Sequence, residues 1–370
     1  MNRKKICLNM IVKNENEVIE RCLSSVKPLI DYWVIVDTGS TDETQQIIET
    51  LLKDIPGELH RRPWVDFAHN RNEAAFLARG KGDYLLFIDA DDQLVFSEQF
   101  TLPQLDKDIY LIIQKEGDDA FAFSENRIVF LIKNNSDFEW NGVLHERINL
   151  KKEEIKTELV SGIHNQYNHD GHRSKDPHRL KKDIEMLKKG ILKEPNNSRY
   201  LFFLGRTYLA MKDYASALYW FEKRAKVKGG PQELYQTLLH IAMAHEYLDA
   251  SPEVVLHSFS QAFLNRPTRA EPLYQLAIYL ISRKQFFQSY LVCKFALTIP
   301  MPQENLYVEP WVYDWGIPLY LFLSSSQLPF AYEEACTTLH FLLNHPKLPL
   351  KVVNDFNLNE ASKIFGIKYA

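Results

Sequence analysis

The sequence predicts an α/β domain built on a mostly parallel sheet over residues 1–175, followed by an all-α domain of helical repeats over residues 176–370. Three observations predict it. Short apolar runs alternate with helical stretches through the first hundred residues. Strand signals fade after Ile163. In the second half a pattern of small and aromatic residues recurs at a nearly fixed interval.

The bulk numbers agree with two soluble domains. A chain of 370 residues exceeds one typical domain. Hydrophobic residues at 45% and charged residues at 25% are ordinary globular proportions. A net charge of −4 argues against nucleic-acid binding, which needs a basic surplus. No apolar run reaches bilayer length, and Ile6 to Val12 is too short for a signal segment. The four cysteines are scattered without metal-type pairing, which fits buried thiols in a reducing cytoplasm.

The elements follow in order. Ile6–Val12 is a nearly continuous apolar run, as a strand covered on both faces requires. Helical spacing runs from Asn14 to Val26. Trp33–Asp37 is a second strand, and Ser40-Thr41-Asp42-Glu43 caps a helix reaching about Leu52. Ala68 to Arg79 is a third helix, stopped by Gly80 and Gly82. Tyr84–Ile88 is the next buried strand. Such strand–helix–strand order gives right-handed crossovers, and ligands of such sheets sit at the carboxyl ends of strands. Asp37 and Asp89 occupy that position. Tyr110–Ile113 and Arg127–Ile132 read as an antiparallel pair joined by a Gly-Asp-rich turn region.

In the second half, Leu201, Leu204, Gly205, Tyr208, Ala217 and Phe221 have tetratricopeptide spacing. The pattern returns at Ala242 with Ala262 and Pro267, and at Leu273, Leu276 and Ala277 with Ala296 and Pro300. The offsets, 37 and 35 residues, sit slightly above the usual ~34. Three matches in register point to a helical repeat array, with an unrelated helical bundle as the alternative. Tyr307, Trp311, Tyr313 and Trp315 read as core of a broken repeat more than as an exposed binding surface.

The chemistry centres on Asp89-Ala90-Asp91, at the end of a buried strand. Two carboxylates around a small residue reach one ligand, and Asp92 adds a third. Hard cations want oxygen ligands and take one or two protein carboxylates plus phosphate oxygens. A solvated acidic turn is the plain alternative.

Four blocks, Asn9-Met10-Ile11-Val12-Lys13-Asn14-Glu15, Val36-Asp37-Thr38-Gly39-Ser40-Thr41-Asp42-Glu43-Thr44, Asn70-Arg71-Asn72-Glu73-Ala74-Ala75 and Gly82 to Asp92, come in the order and spacing of family 2 glycosyltransferases. The chain resembles that family over its first hundred residues. The resemblance implies a GT-A (Rossmann-like) fold, a nucleotide-diphosphate sugar donor (a UDP-sugar), a divalent metal (Mn2+ or Mg2+) and inversion at the anomeric carbon. The fusion to tetratricopeptide-like repeats resembles a bacterial subgroup that includes peptide S-glycosyltransferases. That implies a peptide or protein acceptor presented by the repeats. A glycan or lipid-linked acceptor with repeats for assembly, a homodimer platform, or an inactive scaffold are the competing uses.

The resemblance also assigns roles. Val12, Lys13 and Glu15 line the nucleoside pocket, and Asp37 accepts from the base N–H. Arg71 faces the base or the diphosphate, where a fixed guanidinium suits phosphate. Asp89 contacts ribose or metal, and Asp91 ligates the metal. Two of these have a structural alternative: a helix N-terminus for Glu15, and a surface pair with Glu73 or Asp66 for Arg71.

An inverting transfer needs a general base. The family's usual Glu-Asp pair has no clear copy here; Trp140-Asn141-Gly142-Val143-Leu144-His145-Glu146 stands instead. Glu146 is the candidate base and His145 its rival, with pairing to Arg147 or a lysine as the structural account of Glu146. Trp140 either stacks on a sugar face or packs in the core. His164 is the candidate third metal ligand, since imidazole suits manganese. His169, His172 and His178 lack zinc-site spacing. Arg173 and Ser174 are candidates to close over the diphosphate.

Overall fold

The computed structural model describes residues 3–116, 126–304 and 307–366. They form two compact units, the first reaching Pro195 and the second beginning at Asn196. Residue 175, the sequence-derived boundary, lies inside the first unit.

The first unit is built on one eight-stranded sheet. Its strands are β1 (Ile6–Val12), β2 (Tyr32–Asp37), β3 (Gly57–Arg61), β4 (Tyr84–Phe87), β5 (Gln93–Phe96), β6 (Ile109–Glu116), β7 (Asn126–Lys133) and β10 (Thr157–Tyr167). β8 (Phe138–Asn141) and β9 (Arg147–Leu150) form a separate hairpin. Its helices are α1 (Ile19–Val26), α2 (Thr44–Leu51), α3 (Phe67–Leu77), α4 (His172–Lys175) and α5 (Arg179–Lys193).

The strand order is β3-β2-β1-β4-β7-β6-β10-β5. β3, β2, β1 and β4 run parallel, as their crossover helices require. β7 is antiparallel to both β4 and β6, and β5 to β10. The sheet is therefore mixed, where a mostly parallel one was expected. The antiparallel Tyr110–Ile113 and Arg127–Ile132 pair is present; the turn between them lies outside the described residues.

β1 and β4 are buried throughout except Ile11, which explains their apolar sequences. The chain builds outward from β1 to β2 and β3, then returns to place β4 on the other side of β1. That reversal opens a crevice at the carboxyl ends of β1 and β4, where ligands of α/β sheets bind.

α1 starts at Ile19, later than the sequence pattern suggested. Asn14 is left-handed, at φ 55°. The N–H groups of Asn14, Glu15 and Asn16 donate to Ser40 Oγ, Thr44 Oγ1 and Asp42 Oδ2. The loop after β1 is thus tied to the loop after β2 rather than wound into a helix. Asp42 accepts from the N–H and hydroxyl of Thr44, so it serves the helix start as expected.

The second unit is a run of antiparallel helices, with tetratricopeptide-like pairing. α6 (Ser198–Ala210) packs on α7 (Tyr214–Ala225), α8 (Pro231–Tyr247) on α9 (Pro252–Asn265), and α10 (Glu271–Ser282) on α11 (Phe286–Ala296). A π-helical turn, Val312–Gly316, leads into α12 (Ile317–Ser325) and α13 (Tyr332–Leu343), followed by α14 (Leu350–Asp355) and α15 (Leu358–Ile364). Ala242 and Ala277 are fully buried at the repeated small position. Trp315 is buried and Trp311 packs on it at 5.1 Å, so this aromatic stretch is core.

Gly205 shows why that position must be small. A Cβ there would stand 2.6 Å from the Phe221 ring. Overpacking of that kind costs about 1–3 kcal/mol. Gly205→Ala is expected to lower the unfolding midpoint of the second unit in calorimetry while leaving that of the first unchanged.

Candidate functional site

Helix α3 organises the site, and its Asn70-Arg71-Asn72-Glu73 run divides the work. Asn70 is fully buried; its amide donates to Pro63 O and its oxygen accepts from Val65 N–H, fixing the loop into α3. Asp66 caps the helix by accepting from His69 N–H. Glu73 pairs with Arg62 at 2.7 Å. Asn72 grips the hairpin backbone, donating to Trp140 O and accepting from Trp140 N–H, both at 2.8 Å.

Arg71 points inward and is 8% exposed. Its Nη2 donates to Asp89 Oδ1 and its Nε to Glu146 Oε1, both at 2.6 Å. It pairs with neither Glu73 nor Asp66. Burial opposes its charge, and Asp89 and Glu146 more than offset that, so its pKa stands above the ordinary arginine value. The guanidinium lies 5.0 Å over the Trp140 ring, and Phe87 meets the same ring edge-on at 5.1 Å. Trp140 is thereby packed against Arg71 and the sheet. Its indole Nε1 is buried without a hydrogen-bond partner.

Glu146 ends the turn between β8 and β9, and Gly142 makes that turn possible at φ 118°. His145 sits in the same turn, exposed and left-handed at φ 53°.

Asp37 closes β2, 1% exposed, in register with Val12. Its Oδ1 accepts from the N–H groups of Gly39 and Ser40 at 2.8 and 2.9 Å. Its Oδ2 is buried with no partner. A cleft of about 320 Å3 opens there, lined by Asp37, Gly39, Ser40, Gln45, Arg61, Arg62 and Pro63. A buried, unpaired carboxylate oxygen beside a cleft is a strong acceptor awaiting a donor.

Asp89 follows β4 with its side chain 53% exposed. Asp91 is half-buried, and the segment after β10 clamps it. Gly171 N–H donates to Asp91 Oδ2 at 3.3 Å, while Arg21 and Asn168 donate to its carbonyl. Arg21 also binds Asp170 through both terminal nitrogens. A Cβ on Gly171 would lie 2.8 Å from Asp91 Oδ2, so the Asp91 side chain would have to shift to admit one. Burial, then Asp89, pushes the Asp91 carboxyl above its usual range. Asp92 turns inward to Asn165 at 2.6 Å; burial, then Asp89, raises it too.

Glu15 accepts from the next amide, His172 N–H, at 3.0 Å. Burial raises its pKa to about 7 despite that bond. A raised carboxyl pKa contributes stability below the unfolded value of 4.5 and loses it as pH rises through about 7. Glu15→Gln is therefore expected to stabilise the first unit by about 1–2 kcal/mol at pH 8.5 and to be near neutral at pH 5. Chemical denaturation at the two pH values checks the sign.

Lys13 is exposed beside Val12. Side chains alternate along a strand, so His164 faces opposite to Asn165, the residue that reaches Asp92. Burial, then the Lys115 charge, lowers its pKa. Among the described residues no three His, Cys, Asp or Glu side chains gather at metal-binding range. What remains is Asp89 with Asp91. That donor set suits a hard cation that completes its shell with phosphate oxygens and water, and does not suit an all-protein cage. Arg173 is engaged with Asp183 and lies 4.8 Å over the Phe67 ring.

Arg21, Asn72, Asn168 and Gly171 escaped the sequence analysis. Asn72 stood inside a quoted motif and carried a signal; the others are ordinary residues until the fold brings them to Asp91.

Residues 7–98 match the model of Glycosyl transferase family 2. A TPR repeat-containing protein of Synechococcus elongatus is 26% identical over 253 residues, 65% of this chain and 61% of that one. Glycosyltransferase SunS of Bacillus phage SPbeta is 25% identical over 212 residues, 54% of this chain and 48% of that one. The chain thus spans about half to three-fifths of the length of these relatives. Among solved structures, MamA aligns at TM-score 0.36 and 14% identity over 50% of this chain and 92% of that one. Residues 1–349 of S. aureus TarS, solved with UDP-GlcNAc, align at TM-score 0.32 and 14% identity over 71% and 90%.

Proposed function

We propose that this chain, whose residues 7–98 form a family 2 glycosyltransferase domain, moves a sugar from a UDP-sugar to a peptide or protein acceptor with inversion. The observation that carries the donor assignment is the buried, unpartnered Oδ2 of Asp37 at the end of β2. An imide N–H such as that of uracil supplies the donor it lacks. Glu15, Asp89 and Asp91 lie around the neighbouring strand ends, where the ribose and diphosphate would follow.

Asp89 and Asp91 would hold a divalent cation, which supplies charge stabilisation to the departing diphosphate. Arg71 is the second positive group there. In the resting arrangement its Nε holds Glu146 Oε1 at 2.6 Å, so that oxygen is engaged. A diphosphate beside Arg71 competes for the guanidinium and frees Glu146. Glu146 then takes the proton from the acceptor nucleophile as that atom attacks the anomeric carbon and the nucleoside diphosphate leaves. Trp140 positions Arg71 by stacking.

Glu146→Gln separates these roles. Calorimetric binding of UDP with Mn2+ is expected to stay within threefold of wild type, while transfer falls at least 100-fold, the usual reach of a general base. Near-wild-type transfer by Glu146→Gln moves the base elsewhere, to His145 first. Asp37→Asn is expected to weaken UDP binding by about tenfold or more, since the amide either keeps its oxygen on the Gly39 and Ser40 N–H groups and sets its NH2 against the imide N–H, or turns its oxygen to the imide and loses those backbone bonds. Unchanged UDP affinity would remove the donor assignment.

A further inference from the structure

Helix α1 backs the acidic turn. Three of its side chains, within one helical turn of each other, each hold a main-chain group between Asp89 and Leu94. Cys22 Sγ donates to Asp89 O at 3.3 Å. Ser25 Oγ accepts from Leu94 N–H at 3.0 Å. Arg21 Nη2 donates to Asp91 O at 2.6 Å. Between them the turn closes on itself, Asp92 N–H donating to Asp89 O at 3.1 Å. The helix thus grips backbone and leaves the Asp89 and Asp91 carboxylates to the crevice.

Arg21 does more than its two neighbours. Its Nη1 and Nη2 also reach Asp170 Oδ2 and Oδ1, at 2.8 and 2.7 Å. The next residue is Gly171, whose N–H meets Asp91 Oδ2. One planar group therefore fixes Asp91 from two sides, at its carbonyl directly and at its carboxylate through Asp170. A guanidinium fork can do this, whereas a lysine ammonium is a point charge. Asp170 also balances the guanidinium, so the grip adds little repulsion to a cation at Asp91. As an ion pair the contact contributes little to stability, because its side chains are 33% and 40% exposed. Its value lies in geometry.

We propose that Arg21 is the positioning residue of the cation site, acting through Asp91 and setting where the Asp91 carboxylate stands. This rests on the assignment of Asp89 and Asp91 as the cation's protein ligands. Ligands must be held within about 0.5 Å of the productive geometry. Outer groups that orient them are worth roughly 10- to 100-fold in metal affinity.

Titration of Mn2+ into the full chain with UDP, followed by the paramagnetic resonance signal of free Mn2+, reads that affinity directly. Arg21→Met is expected to weaken Mn2+ binding by about tenfold or more. Arg21→Lys keeps the charge and loses the fork, and is expected to weaken it by at least about threefold. Calorimetric UDP affinity in chelator is expected to stay within about twofold of wild type in both. Wild-type Mn2+ affinity in a folded Arg21→Met chain overturns the proposal. So does an equal loss of UDP affinity in chelator, which marks general damage. If Arg21→Met does not fold, Arg21→Lys decides, and wild-type affinity there overturns it. Asp91→Ala separates the two claims. Mn2+ binding lost in Asp91→Ala and kept in the Arg21 variants leaves the cation site standing and removes the role of Arg21. Mn2+ binding absent from wild type, or unchanged in Asp91→Ala, removes the cation site and that role with it.

Discussion

Asp91→Ala is expected to reduce transfer about a thousandfold or more, an effect of roughly 4 kcal/mol on the barrier. The fold should survive it. The substitution leaves Gly171 N–H without its carboxylate partner, at a cost of about 1 kcal/mol. It also relieves repulsion, because burial and Asp89 already raise the pKa of Asp91. The melting temperature should therefore move by only a few degrees. Gly171→Ala is a second route to a loss of transfer: it retains the carboxylate but makes it shift. An Asp91→Ala protein that transfers sugar at the wild-type metal-dependent rate contradicts the role given to the acidic turn.

Arg71→Met should damage both stability and activity. Two carboxylates share this guanidinium. Asp89 is half in solvent and loses little when unpaired, but the Glu146 side chain is only 11% exposed. Stranding a buried carboxylate by deleting its partner costs about 3 kcal/mol. Denaturant unfolding of the single variant should show that loss. Adding Glu146→Gln should recover at least ~1 kcal/mol, because no stranded charge then remains. Additive losses in that double-mutant cycle would show that the pair is not coupled. Transfer by Arg71→Met should fall by at least 100-fold even where the protein is fully folded, since the diphosphate loses its fixed cation.

Much of the first unit was legible because its signals are local. β1, β2 and β4 are apolar runs, with Asp37 closing β2 and Asp89 two residues beyond β4. β3 was missed because Gly57–Arg61, a polar edge strand, has no alternation to detect. The β8–β9 hairpin was missed as structure although Trp140 and Glu146 within it were selected. The mixed sheet could not be read from strand signals, which carry no pairing direction. At the site, Asp37, Asp89 and Asp91 were visible because they stand at strand ends. The Arg71–Glu146 pair was not, because its members lie 75 residues apart and meet only when Asn72 clamps the hairpin. His164 was chosen because the resemblance sets a third ligand near the end of the last strand; on β10 it is the neighbour of Asn165, which reaches Asp92, and strand alternation points the two to opposite faces. In the second unit the small residues at 205, 242 and 277 marked the repeats, while the segment around Tyr307 carried no pattern that told where it lies.

The central claim is metal-assisted turnover of a nucleotide sugar at Asp37, Asp89 and Asp91. Its most direct test is release of nucleoside diphosphate from a panel of UDP-, GDP- and TDP-sugars, with Mn2+, with Mg2+ and with chelator. The account predicts release from at least one UDP-sugar, dependent on the metal and lost in Asp91→Ala. Release that is equal in chelator, or no release from any donor by the folded wild-type chain with acceptor peptides present, contradicts it.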